Sequence, residues 1–238
     1  MAGTMTHLVI AEKIYYILGN EVIKNLPLFF GGNIAPDAIH AKKDYQRIDK
    51  LRTHLRDGIR SYGYAHPEDA KLFKERTNNF IEKYYLPAGE EKDLYLGYII
   101  HIFADELYFF EYFDQLENNL KNERNDMNIS DFRKIIADRV KNNEFNSFFD
   151  GMVKIYDILP HEYKFMQNIV NILDSTWDYE IKDYISVSEL NASKRRVIKK
   201  FDKISLPCEN IITNDRGKVL KFLDSVVYNI VERLKHII

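Results

Sequence analysis

Apolar residues return every three or four positions along most of this chain. Leu8, Ile10, Ile14, Ile17 and Leu18 set that rhythm in the first segment, a spacing that puts side chains on one face of an α-helix. Thr6 stands where an N-cap hydroxyl accepts from the free amides of a first turn, which puts His7 in that turn. The stretch "GGNIAPDAIH" that follows the next apolar run carries a glycine pair, a proline and then Asp37, and reads as a stiff polar loop. The charged segment "AKKDYQRIDKLRTHLRDG" predicts a helix that stops at Asp57-Gly58. In "HPEDAKLFKERTNNFIEKYYL" Pro67 suits a first helical position, acids fill the first turn, and Pro87 lies just beyond the end. "EEKDLYLGYIIHIFADELYFFEYFDQLENNL" is apolar on more than one face, which predicts a central helix carrying His101 and Asp105.

Farther on, "SDFRKIIADRVKNN", "FNSFFDGMVKIYDIL" and "HEYKFMQNIVNILDSTW" read as shorter helices with breaks near Asn142 and Pro160. "SVSELNASKRRVIKKFDKI" opens on Ser186 or Ser188 as a cap, and "RGKVLKFLDSVVYNIVERLKHII" carries a broad apolar stripe from Val219 to Leu234. No strand pair is convincing, although "CENIITND" suits a short extended connection. Without internal repeats or a low-complexity linker, the expectation is one multi-helical all-α domain over residues 1–238. Its first 120 residues would hold the chemistry and residues 121–238 would add further helices.

Composition narrows the class. With 238 residues and 45% apolar content the chain can bury a substantial core. The 34 Lys and Arg against 36 Asp and Glu leave a formal charge of -2, so no basic field points to nucleic acid. The single cysteine, Cys208, has no internal disulfide partner, and the beginning has neither a basic n-region nor a cleavage site. The expected location is the cytoplasm. Nothing approaches the roughly 20 consecutive apolar residues of a membrane span.

The candidate chemistry lies among seven histidines, at positions 7, 40, 54, 66, 101, 161 and 236. His101 and Asp105 are four apart on one helix, so their side chains share a face and can reach one ion. Imidazole nitrogen and carboxylate oxygen are common zinc ligands. The same spacing also arises in ordinary helices as a surface ion pair. Here the helix offers little solvated face, and an uncompensated Asp105 within it would cost several kcal/mol. Such an acid calls for a cation. His7, Asp37 and His54 are the candidate co-ligands, each of which alone also reads as a cap-region, turn or surface residue.

In order along the chain, "THLVIAEKI", "GNIAPD", "KLRTHLRDG" and "GYIIHIFADELYF" resemble the zinc-dependent phospholipase C family of bacteria, which is all-α and distantly similar to the P1-type nucleases. The resemblance covers roughly the first half of the chain and rests on the ordered set, since each motif alone is loose. It implies that Asp37, His54, His101 and Asp105 ligate one zinc. It also implies that His7 binds a neighbouring zinc that Asp105 bridges, and that Asp37 orients or deprotonates the attacking water.

The chain also departs from that family. Three-zinc members use an N-terminal tryptophan as a ligand, whereas Met1 and five further residues precede His7 here. They also use a later histidine followed by H-x-x-x-E, whereas this chain has only His161, with Phe165 four residues on, and His236 after Asp105. The expectation is one well-formed zinc site, room for a weaker second one through His7 and Asp105, and no third. The implied activity is metal-dependent hydrolysis of a phosphoester, phospholipid-like or a small phosphodiester. The alternative is a catalytically degenerate, metal-bound helical scaffold that binds a partner. Tyr62, Tyr64, Tyr98, Tyr108 and Tyr112 read as core in preference to a substrate pocket. His40 and His66 read as a loop and a helix-start histidine, and Cys208 as inert.

Overall fold

The computed structural model describes residues 3–59, 67–123, 168–175, 178–203 and 213–238, with backbone alone over 109–123, 202–203 and 213–219. In chain order the described elements are α1 (Thr4–Val22), α2 (Leu26–Ala38), a 3-10 turn (Ile39–Ala41), α3 (Arg47–Thr53), α4 (Pro67–Phe80) running into a π turn (Ile81–Tyr85), and α5 (Lys92–Glu123). Then come α6 (Ile169–Asp174), α7 (Val187–Lys203) and α8 (Thr213–Leu234). No strand occurs among the described residues, where the one extended feature is an isolated bridge between Ile181 and Ile185. The protein is all-α over these residues. None of its described helices is long and apolar enough to cross a membrane.

The stretch predicted as a loop is the main correction. Residues 31–38 complete α2, so Asp37 sits in a helical last turn. Asn25 starts this helix by accepting from the Leu28 amide at 3.1 Å, and Pro27 occupies the first turn, where its missing N–H costs nothing. Pro36 comes so close to the end that it removes a single intrahelical bond. Glycine is tolerated at position 32 because α5 lies against it: a Cβ there would be 1.8 Å from the Leu94 carbonyl oxygen. Gly97 answers from α5, where a Cβ would meet the Phe29 carbonyl oxygen at 2.0 Å. The two helices cross with their backbones touching, and they form the most extensive helix pair among the described residues.

Two further boundaries move. Gly3, not Thr6, is the N-cap of α1, and Thr6 is buried within the first turn. Helix α3 ends at Thr53 with His54 as its C-cap, short of the Asp57-Gly58 stop, and Leu55 takes a left-handed φ of 56°. The cap at the start of α7 agrees with expectation. Ser186 and Glu189 exchange hydrogen bonds there, the serine hydroxyl taking the Glu189 amide at 3.4 Å and the carboxylate taking the Ser186 amide at 2.8 Å.

Helix α5 is the centre of the core. Leu94, Leu96, Tyr98, Ile99, Ile100, Ile102 and Ala104 are all buried, as an all-round apolar helix requires. Its first turn is fastened by Asp93, which accepts from the Lys24 and Asn25 amides at 2.9 and 2.5 Å. Around the α2–α5 pair, α1 and α7 pack on α2, while α8 packs on both α1 and α5. Tyr98 and Tyr108 are core, Tyr98 stacking on Phe80 with centroids 4.6 Å apart and Tyr108 meeting Phe222 edge-on. Tyr62, Tyr64, His66, His161, Cys208 and the predicted segments between 124 and 167 lie outside the described residues, as do the side chains of Phe109, Phe110 and Tyr112.

Candidate metal centre

Four helices deliver the five candidate ligands to one place: His7 from α1, Asp37 from the last turn of α2, His54 from the end of α3, and His101 with Asp105 from α5. His7 and His101 are fully buried, and His54 and Asp105 nearly so; Asp37 is the most open of the five, at 15%. His54 Nε2 lies 3.5 Å from Asp37 Oδ1, 3.6 Å from Asp105 Oδ2 and 3.4 Å from His101 Nε2. The other oxygen of Asp105 lies 3.3 Å from His7 Nε2, and the rings of His7 and His101 stack with centroids 3.6 Å apart. Two overlapping sets can each hold an ion, His7–His101–Asp105 and Asp37–His54–His101, with the ligand atoms of each set within 4.8 Å of one another.

The backbone decides which face of each imidazole is available. His101 Nδ1 is 2.8 Å from the Asn33 carbonyl oxygen and His54 Nδ1 is 2.9 Å from the Lys50 carbonyl oxygen. A carbonyl only accepts, so both Nδ1 atoms carry the proton and donate. In the neutral rings both Nε2 atoms are then lone pairs, and they face each other and two carboxylates. Asp37 and Asp105 fall in different sets, which His101 shares. Within each set lone pairs and a carboxylate oxygen face one another, and a cation among them relieves the repulsion. Holding a ligating imidazole by its second nitrogen is also the usual support of a metal-bound histidine. Each set, two imidazoles and one carboxylate, has the donor chemistry of zinc or a similar divalent ion.

These supports follow from the packing. Contact at Gly32 and Gly97 brings α2 close enough for Asn33 to meet His101, and the Asn33 amide also donates to the Gly97 carbonyl at 3.4 Å. Thr53 donates to the Pro36 carbonyl at 2.9 Å, using an oxygen that the end of α2 leaves unpaired, and so fastens α3 to α2 beside Asp37. Tyr98 donates to the Thr53 carbonyl and joins α5 to the same point.

Electrostatics agree with a cation-seeking site. Burial works to raise the Asp37 carboxyl, but the neighbouring His54, His101 and Lys50 outweigh it and hold the group well below the ordinary range. Asp105 is likewise held low against burial, by His7, His101 and His54. Burial and then His7 push the His101 pKa well down, which keeps this imidazole neutral and free to ligate.

Sequence reasoning missed Lys50 and the part played by His40. Lys50 Nζ lies 2.9 Å from Asp37 Oδ1 and 3.1 Å from His40 Nε2. The four-residue spacing of Lys50 and His54 was the available signal, since it puts both on the Asp37 side of α3. His236 is exposed near the end of the chain. A cleft of about 370 Å³ beside α3 is lined by Lys42, Arg52, Thr53 and Tyr184 among others, and none of the five ligands lines it. The fold and the site define an all-α protein with a buried histidine–aspartate centre. No protein-family model matches the chain, nor does any curated protein or solved structure.

Proposed function

We propose that this protein is a metal-dependent hydrolase of phosphoesters, built on the plan of the zinc-dependent phospholipase C and P1 nuclease group with a reduced metal centre. The observation that carries the reading is the convergence of His54 Nε2, His101 Nε2, Asp37 and Asp105, with both Nδ1 atoms bound to backbone carbonyls. The ordered motifs of the first half supply the family likeness. A bound zinc would lower the pKa of its water toward roughly 7 and offset charge on phosphoryl oxygens. His54, His101, Asp105 and Asp37 would hold the ion, His7 would support Asp105 from α1, and Asp37 at the open end would also orient the water and take its proton.

The scaffold alternative draws on a different observation: Lys50 sits on Asp37 Oδ1, at the end where an open coordination position would be needed. One set of measurements separates the two. Elemental analysis of protein purified without chelator should give at least one zinc per chain. The zinc protein should hydrolyse bis(p-nitrophenyl) phosphate, and Asp37→Asn and His101→Ala variants with unchanged helical circular dichroism should not. Bound zinc without turnover on a panel of phosphodiesters would leave the scaffold, and absence of stoichiometric metal would end both readings.

A further inference from the structure

The centre is closed on its α1 and α5 side and open at one end. His7 and His101 are fully buried, with His54 at 2% and Asp105 at 3% exposure, whereas Asp37 is 15%, Lys50 17% and His40 33% exposed. Among the described residues Asp37 is the candidate ligand nearest to solvent, and the side chains around it are basic. Lys50 bridges Asp37 Oδ1 and His40 Nε2. Because an ammonium only donates, His40 Nε2 accepts from it and is a lone pair here. Arg196 reaches the same place from α7, its guanidinium donating to the His40 carbonyl at 3.4 Å, and it has no carboxylate partner among the described residues. Lys50 and a metal ion are two cations with a claim on one carboxylate oxygen. With an ion held by Asp37, Lys50 loses most of that attraction and needs another anion at the mouth.

We propose that Lys50, braced by His40 and flanked by Arg196, is the anion-binding arm of the centre, and that it receives a phosphoryl oxygen of the substrate. This rests on the metal reading given above. Charge and geometry both favour a phosphoester: a neutral ester or amide would leave the ammonium and the guanidinium unanswered in a partly buried mouth, whereas a phosphodiester shares its negative charge between two non-bridging oxygens, one for the ion and one for Lys50. Lys50 thus stands where a further cation would assist, in a centre whose later zinc ligands the sequence lacks.

The test uses the full chain with two readouts, zinc affinity by competition with a chromophoric chelator and affinity of the zinc protein for inorganic phosphate by calorimetry. Lys50→Met is expected to bind zinc at least as tightly as the parent and phosphate roughly tenfold more weakly. Lys50→Arg should stay within about threefold of the parent for phosphate, and Arg196→Met should lose a smaller factor than Lys50→Met. Equal phosphate affinity in the parent and Lys50→Met, both zinc-loaded, overturns the arm and leaves the metal centre standing. Failure of the parent to bind zinc overturns the metal reading itself and the arm with it. Displacement of phosphate by glycerol 3-phosphate assigns the site to soluble phosphoesters, and displacement by phosphatidylglycerol vesicles assigns it to lipid headgroups. Displacement by neither overturns the substrate class.

Discussion

Gly97→Ala puts the helix contact behind the metal centre to a test in which two principles predict opposite signs. By helix propensity alone the change stabilises, because alanine is favoured over glycine within a helix by about 1 kcal/mol. The packing says otherwise. A Cβ at Gly97 would lie 2.0 Å from the Phe29 carbonyl oxygen and 2.7 Å from the Asn33 nitrogen, about 1.4 Å inside the 3.4 Å where ordinary contact begins. Both obstructing atoms are backbone of α2, so no rotamer change relieves them and the helices must part. Overpacking of this kind costs about 1–3 kcal/mol, and an overlap with rigid backbone belongs at the upper end. Against the propensity gain, the net is about 2 kcal/mol of destabilisation, or a Tm lower by roughly 4–8 °C for a chain of this size. Parting the helices also stretches the 2.8 Å bond from His101 Nδ1 to Asn33, which frees the ring to turn, so zinc affinity should fall with stability. The assay is thermal unfolding in chelator followed by zinc titration. Gly89→Ala serves as control, since a Cβ there meets nothing within 4 Å. A Gly97→Ala protein as stable as its parent would refute the backbone contact and the reasoning that derives the His101 orientation from it.

Two other predictions concern stability without metal. Burial and the neighbouring His7 depress the folded His101 pKa below its ordinary 6.5, so the unfolded chain binds a proton that the folded chain refuses. Stability in chelator is then complete above about pH 6.5 and declines in acid by up to about 1.4 kcal/mol per pH unit, which urea midpoints across that range should reveal and His101→Phe should flatten. Asp93→Ala should cost about 2 kcal/mol in the same urea experiment, because it leaves the Lys24 and Asn25 amides without their acceptor; a loss below about 0.5 kcal/mol would show that water replaces it.

The five candidate ligands stood out in the sequence through the ordered motifs and through an acid and a histidine four apart on a helix without a polar face, and the structure brings them near one another. Their supports were not. Asn33 and Lys50 act on the histidines through carbonyl oxygens, which every residue has, so no side-chain pattern announces them. The glycine pair was read as the mark of a loop, yet at Gly32 the missing Cβ serves close approach to α5. Local composition cannot tell these uses apart, because the second depends on a helix sixty residues later. Helix existence was the more secure inference: α1, α4, α5, α7 and α8 follow the apolar rhythm. Boundaries were weaker where a tertiary bond overrides a local signal, as at Thr53, whose hydroxyl is taken by the Pro36 carbonyl while the predicted stop lies at Gly58.

The arrangement also determines which measurements report which property. An ion held here joins α1, α2, α3 and α5, so part of its binding free energy becomes folding free energy, about 2.7 kcal/mol when free metal is a hundredfold above Kd. That gain depends on the buried histidines, Asp105 and a ligating oxygen at Asp37, and it accrues whether the protein is an enzyme or a scaffold. The open end is different. Asp37 and Lys50 lie at the more open end of the centre among the described residues, 15% and 17% exposed. Heat stability gained from zinc therefore tests the inner wall of the centre, while turnover and phosphate affinity test its mouth. Loss of turnover in Asp37→Asn, whose amide oxygen can still ligate but cannot take a proton, with the zinc-induced rise in Tm largely intact, is the combination that the hydrolase predicts and the scaffold does not.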